Sequence, residues 1–320
     1  MKYGFQSHLA EKFPSQVMVD ITEVCNLGCI HCTHPSFKLS KVYQKSMLDP
    51  ELNKKMVNEV FKHGLNLTKY IRYTSNGEPL VHPKSYEMIL FAVKNSGTKV
   101  TLTTNGTLLD EKRMKRLLDT GLHMIDISID AFSNETYKKV RVGGDLNITK
   151  KNVLKLFELN SKSNGSTKII VSFVEQKENS SEIESFKKFW SMNGADDVLI
   201  RKLHTNSGSN LYENIAEKNQ NKKRRPCLYP WERIVLTAKG MLSFCPTDWY
   251  GKSVMHDYRE KNIKEVWSGE FYQDLRNQHL SNNFHNQFCK KCPDWCNTSW
   301  PEDDQKSYAD LVEKILYEEK

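Results

Sequence analysis

Eight cysteines in two groups constrain this chain more than any other feature. Three lie at positions 25, 29 and 32, five at 227, 245, 289, 292 and 296, and none lies between the groups. Disulfides are one use of so many thiols. The N-terminus, Met1 to His8, lacks the apolar core of a secretory signal, however. The expected compartment is the cytoplasm, where thiols stay reduced. No apolar run approaches the ~20 residues that a membrane helix needs. At 320 residues, 38% hydrophobic and 27% charged, the chain buries a sizeable core without disulfide staples. Reduced cysteines at short spacings therefore point to metal or redox chemistry.

Between the two groups the pattern alternates. Strands are predicted over 17–21, 70–73, 99–103, 124–129, 168–173 and 198–202. Helices are predicted over 50–63, 83–95, 110–119, 134–139, 149–159 and 181–191. Asp49 before Pro50, and Asp110, are natural N-caps; Gly64, Gly121 and Gly194 suit helix stops. Ser180 or Ser181 is expected to cap the last of these helices. Six β/α repeats imply an α/β fold, a parallel sheet with helices outside. The count suits an open, partial (β/α)6 TIM-like barrel, with its active site at the C-terminal strand ends. The first three cysteines follow strand one, which puts them there.

The expected organisation is a barrel over 1–204, a linker over 205–226, a cysteine-rich domain over 227–300 and a C-terminal helix within 301–320. The cysteine-rich part opens with a hairpin, 234–237 and 241–244 around Ala238-Lys239-Gly240. Helical stretches follow at 262–268 and 270–279. The final helix, 306–318, has an apolar face of Leu311, Val312, Ile315 and Leu316. The net charge of +8 sits partly in the run Lys222-Lys223-Arg224-Arg225, which reads as a solvated linker. Such a run can also contact RNA or a phosphorylated substrate. No aromatic-interleaved basic strand marks a nucleic-acid module.

The first group reads Cys25-Asn26-Leu27-Gly28-Cys29-Ile30-His31-Cys32. Three thiolates on one loop can hold three corners of a cubane cluster and leave the fourth iron open. A structural zinc would need a fourth ligand, for which His31 and His34 are near. In the second group, twelve residues separate Cys227 from Gly240, four more precede Cys245, and a Cys289-x-x-Cys292 pair follows. A hairpin and a distant CxxC can close a four-ligand site, for zinc as well as for a cluster.

The CxxxCxxC loop after strand one resembles the signature of the radical S-adenosylmethionine superfamily. The resemblance implies a four-iron cluster on Cys25, Cys29 and Cys32 whose open iron takes S-adenosylmethionine. It implies a 5′-deoxyadenosyl radical that abstracts hydrogen from substrate, with electrons from a flavodoxin- or ferredoxin-type donor. His31 corresponds to the residue that lies near the adenine. Asn76-Gly77-Glu78-Pro79 resembles the segment that meets the cofactor's amino group, with Asn76 in place of a glycine. Thr104 and Asn105 after strand three, and Ser128 and Asp130 after strand four, correspond to residues that meet the ribose and methionine. Arg141 resembles an arginine that pairs with the cofactor carboxylate; otherwise it reads as a surface arginine.

The second group resembles the twitch domain, a shortened SPASM domain. This implies one auxiliary 4Fe-4S cluster on Cys227, Cys245, Cys289 and Cys292. Cys296 is left over, as a ligand of a rearranged site, a thiol that returns hydrogen to a substrate radical, or inert packing. The implied reaction is an oxidation or an epimerisation. The short stretch before strand one leaves no room for a fused leader-binding domain, which favours a small molecule such as a sugar, aminocyclitol or nucleoside. Radical modification of a ribosomally made peptide is the alternative. A zinc-binding interaction module is the rival of a different class.

Overall fold

A computed structural model describes residues 3–7, 9–74, 76–163, 165–208, 224–301, 303 and 308–317. Six strands lie parallel: β1 (Gln16–Asp20), β2 (Tyr70–Thr74), β3 (Lys99–Thr104), β4 (Met124–Ser128), β5 (Lys168–Glu175) and β6 (Asp197–Lys202). The sheet order is β6-β5-β4-β3-β2-β1-β7-β8-β9. The hairpin does not stand apart from the barrel. Its first strand, β7 (Arg233–Leu236), runs parallel beside β1, with Gln16 opposite Arg233. β8 (Met241–Ser243) returns antiparallel, and β9 (Val254–Asp257), which the sequence reading did not foresee, pairs with β8. Gly240 makes the hairpin turn at φ +77°, a left-handed conformation that favours glycine.

The helices are α1 (His34–Phe37), α2 (Pro50–Glu59), α3 (Ser85–Asn95), α4 (Glu111–Leu118), α5 (Asn134–Val140), α6 (Leu146–Lys162) and α7 (Ile183–Met192). They are followed by α8 (Tyr229–Glu232), α9 (Ile263–Ser268), α10 (Glu270–Ser281), α11 (Gln287–Lys291) and α12 (Tyr308–Tyr317). The expected caps hold at α2 and α4. Asp49 accepts from Glu51 N at 2.9 Å and Asp110 from Arg113 N at 2.8 Å. Asn262 and Glu265 form a reciprocal capping box on α9. Beyond Glu59, α2 widens into a π turn over Val60–Gly64. Neither Ser180 nor Ser181 caps α7: both lie in a 3-10 turn, Ser180–Glu182, and Glu182 takes the cap position. The Glu182 carboxylate instead accepts from Phe132 N at 2.6 Å and Ser133 Oγ at 2.5 Å. That contact holds the loop before α5 against α7.

Alternation along the strands divides the core. Val17, Val19, Ile71, Val100, Ile125, Val171 and Ile234 pack into one large cluster with the outer helices. The other face carries Tyr70, Met124, Ile170 and Leu199, and these are covered by Val312 of α12. Leu311, Ile315 and Leu316 pack on the same cluster, so the expected apolar face of this helix is the one buried. Tyr308 enters the barrel interior. Its hydroxyl donates to Asp126 Oδ2 at 2.7 Å. Its ring lies between the guanidiniums of Arg72 and Arg201, at 4.1 and 4.2 Å. Among the described residues no helix is long and apolar enough to cross a membrane.

Residues 209–223 of the expected linker, with Lys222 and Lys223, lie outside the described residues. Arg224 and Arg225 are not a solvated run. Arg225 pairs with Asp303 at 2.7 Å, and Arg224 donates to the Cys289 and Lys290 carbonyls at 2.6 and 2.9 Å.

Candidate functional site: two thiol groups at the C-terminal strand ends

The loop between β1 and α1 carries Cys25, Cys29 and Cys32. Each sulfur faces an N–H group: Leu27 N at 3.5 Å on Cys25, His34 N at 3.4 Å on Cys32, and Arg141 Nη1 at 3.6 Å on Cys29. Such donors stabilise a thiolate or a metal-bound sulfur. Burial favours the protonated thiols, pushing Cys25 up to about 11 and Cys32 to about 12. Cys29 is raised as well, burial outweighing the Arg141 charge. A metal must displace these protons, so loading is favoured by higher pH.

Among the described residues no fourth ligand for a zinc site stands beside these thiols. His34 Nε2 lies 3.0 Å from the Glu23 carbonyl, and its ring packs edge-on against Tyr43 and Trp249. His31 Nδ1 lies 3.1 Å from Gln176 Nε2, and its Nε2 lies 3.5 Å from Asp130. Burial pushes His31 down to about 4, so it is neutral at physiological pH. Among the described residues no three His, Cys, Asp or Glu side chains converge on a single-ion site. Three thiols on one loop, with no fourth ligand beside them among the described residues, fit three corners of a cluster.

The four expected cofactor segments do come together around this loop. Gly77 passes so close to Val24 that a Cβ on it would lie 2.3 Å from the Val24 carbonyl oxygen. Only glycine permits this approach, which the Glu78 N–H bond to that same carbonyl (2.8 Å) holds in place. Pro79 then starts a 3-10 turn, Pro79–Val81. The Glu78 carboxylate is buried and accepts from Thr104 Oγ1 (2.6 Å), Leu80 N (3.1 Å) and Asn105 N (2.8 Å). Asn105 continues the chain to Asn26, inside the cysteine loop, at 3.0 Å.

Asp130 is fully buried at φ +61° and receives Val174 N at 2.7 Å. Arg141 Nη2 lies 2.5 Å from Asp130 Oδ2. That oxygen has no aligned hydrogen bond, so the contact is one of charge. Arg141 is 6% exposed and is therefore no surface arginine. Its Nε finds no partner in the protein, which leaves a buried donor for a ligand. Ser128 ends β4 opposite Ser172.

The second thiol group forms a cavity of its own. Cys227, Cys245, Cys289 and Cys292 line it, together with Arg224, Tyr229, Phe244, His279, Phe288 and Trp295. Burial pushes all four thiols up, Cys292 to about 12, and each of Cys227, Cys289 and Cys292 also feels neighbouring thiols. The Nε of Arg224 and the Nε2 of His279 are buried on this wall without a protein partner. A sulfur-rich cluster fits this lining, since its sulfurs accept such donors. Cys296 is not among the lining residues. Its thiol lies 3.7 Å from Pro293 O and from Asn297 Oδ1.

Residues 205–207 connect the two groups. Thr205 and Ser207 donate to Asp294, beside Cys292, at 2.9 and 2.8 Å. Asn206 donates to Thr33 Oγ1, beside Cys32, at 3.1 Å.

A second cavity lies between the first cysteine loop and the hairpin. Asp20, Glu23, Asn76, Lys239, Asp248, Trp249 and Tyr250 are among its walls. Glu23 is held by Gln44 N and Ser46 N, both at 2.9 Å, and by Lys239 at 3.2 Å. Asp248 accepts from the Tyr250 and Ser253 amides. Asp20, at the C-terminal end of β1, is 9% exposed. Burial, then Glu23 and Asp248, push it up to about 7. The sequence carried no signal for Asp20 or His279, because neither sits in a motif, and marked Arg224 only as part of a basic run.

A family model described as the Radical SAM superfamily matches residues 19–189, more than half of the chain. SPASM, an iron-sulfur cluster-binding domain, matches residues 227–293. A curated relative from Methanococcus aeolicus, "Probable GTP 3′,8-cyclase", is 35% identical over 143 residues, 44% of this chain and 45% of the relative. "GTP 3′,8-cyclase" from Clostridium botulinum is 28% identical over 196 residues, 61% of this chain and 58% of the relative. The chain thus spans about half the length of the curated relatives it matches.

Among solved structures, Streptococcus suis SuiB bound to precursor peptide SuiA aligns with a TM-score of 0.66 at 14% identity, over 96% of this chain and 75% of that one. Native anSMEcpe with bound AdoMet gives 0.62 at 14%, over 94% and 95%. BtrN in complex with AdoMet and 2-DOIA gives 0.52 at 18%, over 84% and 87%. At these identities the likeness is one of fold: a partial barrel with parallel strands.

Proposed function

The chain belongs to the radical SAM superfamily, and on that premise we propose that it oxidises a small neutral or cationic polyol held between its first cysteine loop and the hairpin. The family implies a 4Fe-4S cluster and S-adenosylmethionine, and the SPASM match implies auxiliary iron–sulfur. Cys25, Cys29 and Cys32 would hold that cluster, and with S-adenosylmethionine it would supply the chemistry for removing one hydrogen atom from a substrate carbon. The reductant is a flavodoxin- or ferredoxin-type protein.

The chain's own residues then divide into three sets. Asn76, Gly77, Glu78 and Pro79 shape the pocket for the cofactor's amino group. Thr104, Asn105, Ser128 and Asp130 border its ribose and methionine, and His31 its adenine. Arg141, fixed by Asp130 and with Nε still free to donate, meets the carboxylate. Cys227, Cys245, Cys289 and Cys292 hold one auxiliary cluster, which supplies a one-electron acceptor.

The observation that carries the substrate reading is the cavity that ends on Asp20. Its walls hold three carboxylates, Asp20, Glu23 and Asp248, against one ammonium, Lys239. A polyanion such as a nucleoside triphosphate is repelled there. A sugar, aminocyclitol or nucleoside is not. Among the described residues no hydrogen bond to the Asp20 carboxylate is made, and burial with Glu23 and Asp248 raises its proton affinity to about 7. That is what a general base for an alcohol proton needs. The balance is then complete: a C–H hydrogen leaves as an atom, the O–H proton goes to Asp20, one electron leaves, and a carbonyl remains.

Oxidation is favoured over epimerisation because the Cys296 thiol is turned to Pro293 and Asn297 and lines neither cavity. The test is anaerobic turnover of the cluster-loaded protein with S-adenosylmethionine and dithionite, against C-deuterated polyols and against peptides. The expected result is deuterium in 5′-deoxyadenosine and a carbonyl product from a polyol. Deuterium transfer from peptides alone contradicts the substrate class, and no 5′-deoxyadenosine at full iron loading contradicts the activity.

A further inference from the structure

His279 sits on α10, 3% exposed, with its ring clamped edge-on between Trp231 at 6.2 Å and Phe284 at 4.8 Å. The amide of Cys227 donates to its Nδ1 at 3.3 Å. A nitrogen that accepts a hydrogen bond carries no proton, so in this imidazole the N–H is on Nε2. That Nε2 is buried, has no partner in the protein, and belongs to the wall of the cavity lined by Cys227, Cys245, Cys289 and Cys292.

An unmet donor in such a place is costly, and native interiors rarely tolerate one. An N–H also has no lone pair for a metal, so this tautomer excludes His279 as a ligand. What remains is donation to sulfur. Hydrogen bonds to cluster sulfurs are among the factors that set a cluster's reduction potential, because they stabilise the more negative, reduced state.

We propose that His279 Nε2–H donates a hydrogen bond to a sulfur of the auxiliary cluster and raises its reduction potential, making it a better acceptor of the substrate's electron. This rests on the assignment of Cys227, Cys245, Cys289 and Cys292 as that cluster's ligands. Cys227 has a double part: its amide fixes the tautomer of His279, and the residue lines the same cavity. Glutamine can reproduce both functions, accepting through its carbonyl and donating through its amide. Phenylalanine fills the same space and can do neither.

The experiment uses full-length protein with Cys25, Cys29 and Cys32 replaced by alanine, so that only the auxiliary cluster remains. Iron content, the midpoint potential by EPR-monitored titration, and electron–nuclear double resonance after exchange into D2O are measured. The parent should hold about four irons and show exchangeable protons coupled to the cluster, one of them from His279. 15N-histidine labelling should add a weak nitrogen coupling, without any substitution at the site.

H279F should keep its iron, lose that proton and shift the midpoint to a more negative potential; H279Q should restore both. A parent without a cluster overturns the ligand assignment and this proposal together. A loaded parent with no histidine nitrogen coupling, or whose midpoint and exchangeable protons all survive H279F, overturns the proposal alone. Loss of iron in both H279F and H279Q overturns it in favour of a ligand role.

Discussion

The two thiol groups solve similar problems with different means. The first draws three sulfurs from one eight-residue loop, Cys25 to Cys32, and surrounds them with charge: Arg141, Asp130 and the buried Glu78. The second gathers four sulfurs from segments as far apart as Cys227 and Cys292 and surrounds them with Tyr229, Phe244, Phe288 and Trp295. Each has one arginine against it. Arg141 is anchored by a carboxylate. Arg224 is anchored by two carbonyls and stacks on Phe284 at 4.0 Å. Charged, partly unmet groups suit a zwitterionic ligand that must come and go. An apolar wall with four thiols suits a closed centre that only exchanges electrons. On the proposed assignment, a site that binds and a site that stores differ in the residues around the thiols, charged at the first group and mostly aromatic at the second.

The largest test of that contrast exchanges the losses. Alanine at Cys25, Cys29 and Cys32 should abolish release of 5′-deoxyadenosine and leave about four of about eight irons. Alanine at Cys227, Cys245, Cys289 and Cys292 should halve the iron, keep that release and lose the oxidised product. Iron assay and chromatography of the nucleoside check both.

The two arginines should differ next. Arg141→Met leaves Asp130 charged and buried, and should destabilise the protein by about 3–5 kcal/mol in anaerobic urea unfolding. Arg224→Met removes two hydrogen bonds to carbonyls and should cost only about 1–3 kcal/mol.

Gly77→Ala should act on one group alone. The new Cβ would meet the Val24 backbone at 2.3 Å, next to Cys25. Iron bound by the first group should fall, and that bound by the second should not.

The smallest effect is one of pH. The Asp20 carboxyl, raised to about 7 by burial and by Glu23 and Asp248, holds its proton longer in the folded than in the unfolded chain. Its contribution to stability is therefore full below the ordinary carboxylate value and is lost as pH rises through about 7. Asp20→Asn should flatten that part of the stability curve. It should also remove a protonated-carboxyl infrared band that otherwise titrates near neutrality.

Much of the barrel was legible because its signals are local. Alternating apolar residues marked β1 to β6, and Asp49 and Asp110 marked helix starts that do cap. The cysteine spacings marked both thiol groups for the same reason. What the sequence hid depends on residues that arrive from elsewhere. β9 is short and half-buried, without an apolar alternation to reveal it. Ser180 and Ser181 were plausible caps until Glu182 was drawn to Ser133 and Thr136. The apolar face of α12 was clear, but its destination was not, since Tyr308 meets Asp126 across 182 residues of sequence. Asp20, Arg224 and His279 carry no motif. Burial singles out Asp20, and a buried hydrogen-bonding atom without a partner singles out Arg224 and His279; both are properties of the packed chain.

The division of labour between the two groups is tested most directly by Mössbauer spectroscopy of 57Fe-loaded protein, with and without S-adenosylmethionine. Addition should change the signal of one iron in about eight. That change should persist when Cys227, Cys245, Cys289 and Cys292 are alanine, and vanish when Cys25, Cys29 and Cys32 are. A change that survives loss of the first three cysteines, or that needs the second four, would contradict it.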